Sequence, residues 1–195
     1  MIRRDKSGRP VYDAIVVDAP PTGRIGTFLD VTKAMSDLAK SGPIRSQSDG
    51  VVKLLHSDET IIHLVTLLES LPVQETIDAV KELTEKDLRV GSIIVNRSNS
   101  EYLTDEALSA ATSEQLDEGA IRAGLTKGLK VSDEELSGLL TQATEYAIRT
   151  RAQQDSAQEL EEIDIPQIVL PTITDGVDLG GLYELAEVLT KQGVR

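Results

Sequence analysis

The order of the apolar runs constrains this chain most. Ile61–Leu68 is a short run rich in β-branched residues; Val73, Ile77, Val80 and Leu83 then recur at spacings of four and three, and Val90–Val95 is a second short run. Runs of that length read as buried strands, and the intervening period as one face of a helix. The unit is therefore β-α-β. Strands joined by such a crossover pair in parallel, which puts their ends, near Glu69 and Asn96, on one rim of the sheet. Open α/β sheets hold ligands along that rim.

The same reading extends along the chain. Tyr12–Asp18 is an apolar run ending on an acid and then on Ala19-Pro20-Pro21-Thr22-Gly23, the pattern of a buried parallel strand feeding a tight loop. Phe28, Val31, Met35 and Leu38 share a helical face, and Gly42-Pro43 stops that helix. Residues 99–163 read as helical: Thr104 and Ser132 suit N-caps, Ser132 with Glu135 forms a capping box, and Leu136, Leu139, Leu140, Ala143 and Ala147 form an apolar stripe. Ile165–Leu170 returns to the sheet, Pro171–Gly176 breaks it, and a helix carrying Leu179, Leu182, Leu185, Ala186 and Leu189 closes the chain. The expected fold class is α/β: a mostly parallel sheet with flanking helices and an acidic helical insertion. Three regions follow: 1–98, the first half of an α/β domain; 99–163, the insertion; and 164–195, the last strand and helix of the same domain.

Composition narrows the functions open to such a fold. The 195 residues carry a net charge of -13, which argues against a dedicated binder of DNA or RNA backbones. Residues 99–165 hold 15 acidic and 5 basic side chains, a distribution that suits a solvated outer face or a docking surface for a basic partner. Aromatic residues make up 3% of the chain and Trp is absent, so the core must be aliphatic. Zero cysteines exclude disulfides, thiol catalysis and thiolate metal sites, and fit a reducing compartment. His56 and His63 stand seven apart, which is not a one-face spacing for two metal ligands. No run approaches the roughly 20 apolar residues of a membrane span, so a cytoplasmic location is expected, without direct membrane insertion.

The first apolar run carries the strongest chemical signal. An Asp at the carboxyl end of a buried strand is costly unless it holds a metal, water or a hydrogen-bond network. Asp18 has that placement in the sequence; in a nucleotide-binding α/β fold it is the position of the Walker B acid beside Mg²⁺. Alternatively, Asp18 caps its loop by accepting backbone N–H bonds.

Ile15-Val16-Val17-Asp18-Ala19-Pro20-Pro21-Thr22-Gly23 resembles the D-T-A-P-T-G signature of the anion-transporting ATPases, the family of the arsenite-pump ATPase ArsA and the tail-anchored-protein-targeting ATPases. Val65-Thr66-Leu67-Leu68-Glu69 followed by Gln74-Glu75-Thr76 is similar to that family's strand and Glu-Thr helix, Ile93–Arg97 to its V-N-Q-type strand end, and Leu170-Pro171 to its late L-P turn. The wording of Pro20–Asp30 and Asp175–Gly180 resembles the actinobacterial branch. The resemblance implies a deviant-Walker P-loop NTPase fold, ATP and Mg²⁺ as cofactors, and hydrolase activity in the intact protein. It also implies roles: Asp18 as the Walker B acid contacting Mg²⁺ through water, Pro21, Thr22 and Gly23 in the loop that responds to the γ-phosphate, and Asn96 and Pro171 lining the adenine pocket. Asn96 as a plain strand end and Pro171 as a plain turn remain alternatives. Ala19-Pro20 stands where the signature has Thr-Ala, and Arg24 where many members have His, which puts that His's coupling role in doubt here.

A P-loop needs G-x-x-x-x-G-K-[ST], whose N–H groups cradle phosphates while its Lys neutralises them; this sequence contains no Gly-Lys dipeptide. Phosphoryl transfer depends on positioned charge, so the chain by itself is expected to bind ATP and Mg²⁺ weakly or not at all and to be inactive, the carboxyl-terminal, truncated portion of a longer ArsA-like ATPase. In that family the P-loop strand is central, so its loss should expose apolar strand edges. A homo- or heterodimer with another ATPase chain is expected. The alternative is a non-catalytic interaction subunit pairing with a complete ATPase; a partitioning-type deviant-Walker ATPase is a third reading, disfavoured by the Asn96 and Pro171 matches.

Overall fold

The computed structural model describes residues 6–19, 43–113, 115–125, 128, 130–174 and 176–194. In chain order these form α1 (Pro43–Leu55), β1 (Ile62–Thr66), α2 (Ser70–Glu85), β2 (Val90–Ser98), α3 (Asp105–Thr112), α4 (Glu118–Leu125), α5 (Asp133–Glu161), β3 (Gln167–Pro171) and α6 (Leu179–Lys191). The strands make a three-stranded parallel sheet in the order β1-β2-β3, with six flanking helices among the described residues. The protein is α/β, and the β-α-β reading of residues 61–95 holds, with β2 running three residues further, to Ser98.

The chain divides into two compact units, Met1–Leu64 with Glu75–Ser92, and Val65–Gln74 with Ile93–Arg195. The core of the first is aliphatic: Leu64, Ala79, Leu83 and Leu88 are buried, with Leu55, Ile62, Val80 and Val90 packed around them. Thr76, Ala79, Val80 and Leu83 share a stripe of α2 because a helix repeats every 3.6 residues. The helix ends in a Schellman turn, in which Leu88 N–H donates to Leu83 O at 2.9 Å and Asp87 N–H to Thr84 O at 3.1 Å. Asp87 takes the left-handed position, φ 55°, where Asp is better tolerated than most side chains. The turn brings Leu88 onto Leu83, so the helix stop and the core are one feature.

The second unit is organised around α5. Ser132 caps it as the sequence predicts: its Oγ accepts from Glu135 N–H at 3.2 Å and the Glu135 carboxylate accepts from Ser132 N–H at 2.8 Å. Those bonds, the one from the Ser132 backbone first, hold the Glu135 carboxyl below its ordinary range. Thr104 caps α3 in the same manner, accepting from Ala107 N–H at 3.3 Å. Leu108 and Ala111 of α3 meet Ala147 of α5, with Leu103, Leu116 and Tyr146 at the margin. At the open side of β3, Gln192 accepts from Val169 N–H at 2.9 Å and donates to Val169 O at 2.8 Å. One amide side chain thereby does for Val169 what a neighbouring strand would do.

One expected element is absent. Tyr12–Asp18 is irregular and exposed rather than a buried strand; Val16 is 94% exposed. Strand propensity expresses itself only through pairing and burial, and none of the described strands pairs with this run. The helix expected from Phe28 lies outside the described residues. No described helix is long and apolar enough to cross a membrane.

Two expectations follow. Leu83 is fully buried, so Leu83→Ala should destabilise the protein by about 2–5 kcal/mol in denaturant titration. Glu135 has a lowered folded carboxyl pKa, so its contribution is present above the unfolded value and lost as pH falls through the folded one. Acid titration of helicity should therefore show an α5 component that Glu135→Gln removes.

Candidate functional site

Because β2 and β3 are parallel, their carboxyl ends share a rim. The ladder is regular through Ile93–Gln167, Ile94–Ile168 and Val95–Val169, and resumes at Ser98–Pro171. β2 thus advances three residues where β3 advances two, and the extra residue falls at Asn96–Arg97. Such bulges re-aim side chains and break pairing locally. Arg97 has φ 54°, a left-handed backbone that costs a non-glycine residue about 1–2 kcal/mol. Asn96 offsets part of that cost locally, its Oδ1 accepting from Arg97 N–H at 3.0 Å.

The rim is closed on the β3 side by two bonds from Thr172. Its N–H donates to Ser98 O at 2.9 Å and its Oγ1 to Asn99 Oδ1 at 3.3 Å. Asn96 and Pro171 are both half-buried and stand on adjacent strand ends. The Asn96 Nδ2 has no hydrogen-bond partner among the described residues, and Oδ1 retains a second lone pair. An amide offering one donor and one acceptor, on a rim that also carries a proline, suits the edge of a heteroaromatic base. The exposed Arg97 guanidinium adds positive charge at the same rim.

Asp18 lies in the first unit, exposed on the irregular segment, where it forms no hydrogen bond or ion pair among the described residues. Pro21, Thr22 and Gly23 lie outside the described residues. His56 and His63 have separate partners, the Asp87 carbonyl at 3.4 Å and Ser92 Oγ at 2.6 Å. A cleft of about 590 Å³ lies between α4 and α5, lined by Leu116, Arg122, Asp133 and Leu140 among others; neither Asn96 nor Pro171 lines it. Sequence reasoning missed Arg97, Asn99 and Thr172 as parts of the rim. Their signal was the polar run Asn96-Arg97-Ser98-Asn99 directly after an apolar strand, and Thr172 after Pro171.

No protein-family model matches the chain. Proteins of known name do. The chain is a homologue of mycobacterial ATPases. It is 56% identical, over its whole length, to ATPase BagA of Mycobacterium tuberculosis. The identity is the same with a Mycobacterium bovis protein that carries the description "Putative ATPase Mb3704". The chain spans 58% of the length of these relatives.

The left-handed Arg97 gives a direct check on the bulge. Arg97→Gly, which removes the steric cost, should leave stability unchanged or raise it by up to about 1 kcal/mol. Arg97→Val, β-branched at the same φ, should lower it by about 1–2 kcal/mol, read from denaturation midpoints.

Proposed function

We propose that this chain is the adenine-side portion of an ArsA-like, deviant-Walker ATPase that binds and hydrolyses MgATP when intact. The observation that carries the reading is the bulge of β2 at Asn96–Arg97, on the carboxyl rim where Ser98 of β2 pairs with Pro171 of β3. Ligands of open α/β sheets bind at that rim. The 56% identity to ATPases supports a nucleotide as that ligand. In this reading Asn96 hydrogen-bonds the adenine edge and Pro171 packs on the base, while Arg97 adds positive charge toward an anionic ligand.

Asp18 fits one role only. A single exposed carboxylate does not cage an ion, and among the described residues no three His, Asp or Glu side chains gather into a metal-binding group. Mg²⁺, however, is commonly held by one or two carboxylates together with substrate phosphates. Asp18 is thus assigned a water-mediated contact to an ion that arrives with the nucleotide, and Pro21, Thr22 and Gly23 the loop beside the γ-phosphate. The bound ion would supply charge neutralisation at the phosphates. Cradling those phosphates calls for a Gly-Lys loop, which this sequence does not contain. The chain alone is therefore assigned binding at the base and no turnover.

A second reading, a non-catalytic subunit that pairs with a complete ATPase, draws support from exposed apolar residues on two strands, Val65 at 57% and Val169 at 42%. Pairing of ATPase chains as homo- or heterodimers is compatible with either.

Titrating ATP at millimolar concentration into the isotope-labelled chain tests the primary reading. The amides of Arg97, Ser98 and Thr172 should shift, Asn96→Ala should abolish the shifts, and phosphate release should stay at the uncatalysed level. Shifts confined to other residues would remove the adenine assignment. Steady hydrolysis that Asp18→Ala abolishes would show that the phosphate machinery needs no Gly-Lys loop.

A further inference from the structure

The loop leaving the nucleotide rim is held by the middle of a helix. Between Ser98 at the end of β2 and the Thr104 cap of α3, the backbone crosses α5 at Tyr146. The Tyr146 hydroxyl donates to Ser100 O at 2.6 Å and accepts from Tyr102 N–H at 2.9 Å. A phenol has one proton to give and lone pairs to receive, and both capacities are spent on the backbone of this one loop. The rings of Tyr102 and Tyr146 lie 5.9 Å apart, tilted by 42°, within the preferred aromatic-pair range. Two turns on, Gln154 donates to the Glu101 carboxylate at 3.2 Å.

The same loop also anchors the rim. Asn99 holds Thr172 through its Oδ1, and Ser98 O holds Thr172 N–H, so the Pro171-Thr172 turn is fixed to residues 98–99. Tyr146 is therefore linked to Thr172 by a hydrogen bond to Ser100, the peptide chain from Ser100 to Asn99, and a hydrogen bond from Thr172 to Asn99. Among the described residues no hydrogen bond joins Asn96 or Pro171 to Tyr146, but the placing of both strand ends depends on where residues 98–102 lie.

We propose that Tyr146 is a positioning residue for the base-binding wall, setting the spacing of Asn96 and Pro171 and hence the preference for adenine over other bases. The inference rests on the adenine-site reading above. It gives the helical segment a role in the nucleotide site: α5 supplies the anchor for its base-selective side. A residue that acts only on stability would weaken all nucleotides alike, whereas one that sets the base wall changes the discrimination between bases.

The test titrates ATP and GTP separately into isotope-labelled wild type, Asn96→Ala, Tyr146→Phe and Asn99→Ala, following the Ser98 and Thr172 amides. Hydrogen exchange of the Tyr102 amide reads the Tyr146 bond itself. Wild type should favour ATP. Tyr146→Phe keeps the ring and removes the hydroxyl; it should cut that preference about fivefold, through weaker ATP binding with GTP unchanged. Tyr102 exchange should accelerate about tenfold. Asn99→Ala removes one of the two bonds that tie Thr172 to this loop, outside the helical core, and should reduce the preference likewise. Equal weakening of ATP and GTP, or an intact preference in both Tyr146→Phe and Asn99→Ala, overturns the positioning role. If wild type shows no rim response to ATP, or a preference that survives Asn96→Ala, the adenine reading itself falls and this inference with it.

Discussion

The parallel pairing of β2 with β3 is the constraint from which the second unit follows. Parallel neighbours cannot be joined by a tight turn, because the chain must travel back the length of the strand before it can pair again. Residues 99–166 make that journey. The acidic helical segment is therefore the crossover between two adjacent strands as well as an addition to the fold. Its longest helix, α5, has 29 residues and spans roughly 43 Å at the standard rise, more than a five-residue strand requires. The excess length lets one side chain in mid-helix hold the loop leaving the rim while the helix's end returns the chain to β3.

Pairing also explains why the rim is irregular where it is. Both strands must end at one edge, and β2 reaches that edge with one residue more than β3. The surplus is taken up by the left-handed Arg97, and the Asn96 side chain satisfies the displaced N–H. A glycine would adopt this φ without steric cost. An arginine there keeps a charge at the rim at the expense of local strain, a combination more often found at binding sites than in plain strand ends.

Much of this was legible in residue order. The spacing of Val73, Ile77, Val80 and Leu83 between two apolar runs called for a β-α-β unit, and Ser132 with Glu135 announced the start of α5; both signals are local, so tertiary context had little to override. Asn96 and Pro171 could be singled out as strand-end residues. That they stand on neighbouring strand ends depends on a register between segments far apart in the chain. Tyr12–Asp18 shows the reverse. Its consecutive β-branched residues Ile15, Val16 and Val17 and its terminal acid describe a strand suited to burial, yet its side chains are exposed because suitability for a sheet does not supply a partner.

The amino-acid sequence by itself determined the α/β class, the helix caps, the aliphatic core and the kinship with ATPases, since each is written in short-range pattern or in residue identity. Tertiary structure alone decided that the ends of β2 and β3 share a rim, that Arg97 must turn left-handed, and that Tyr146 holds the loop leaving β2. These depend on strand register and on which face of a long helix the chain crosses, quantities set by the packing of distant segments, and no local spacing encodes them.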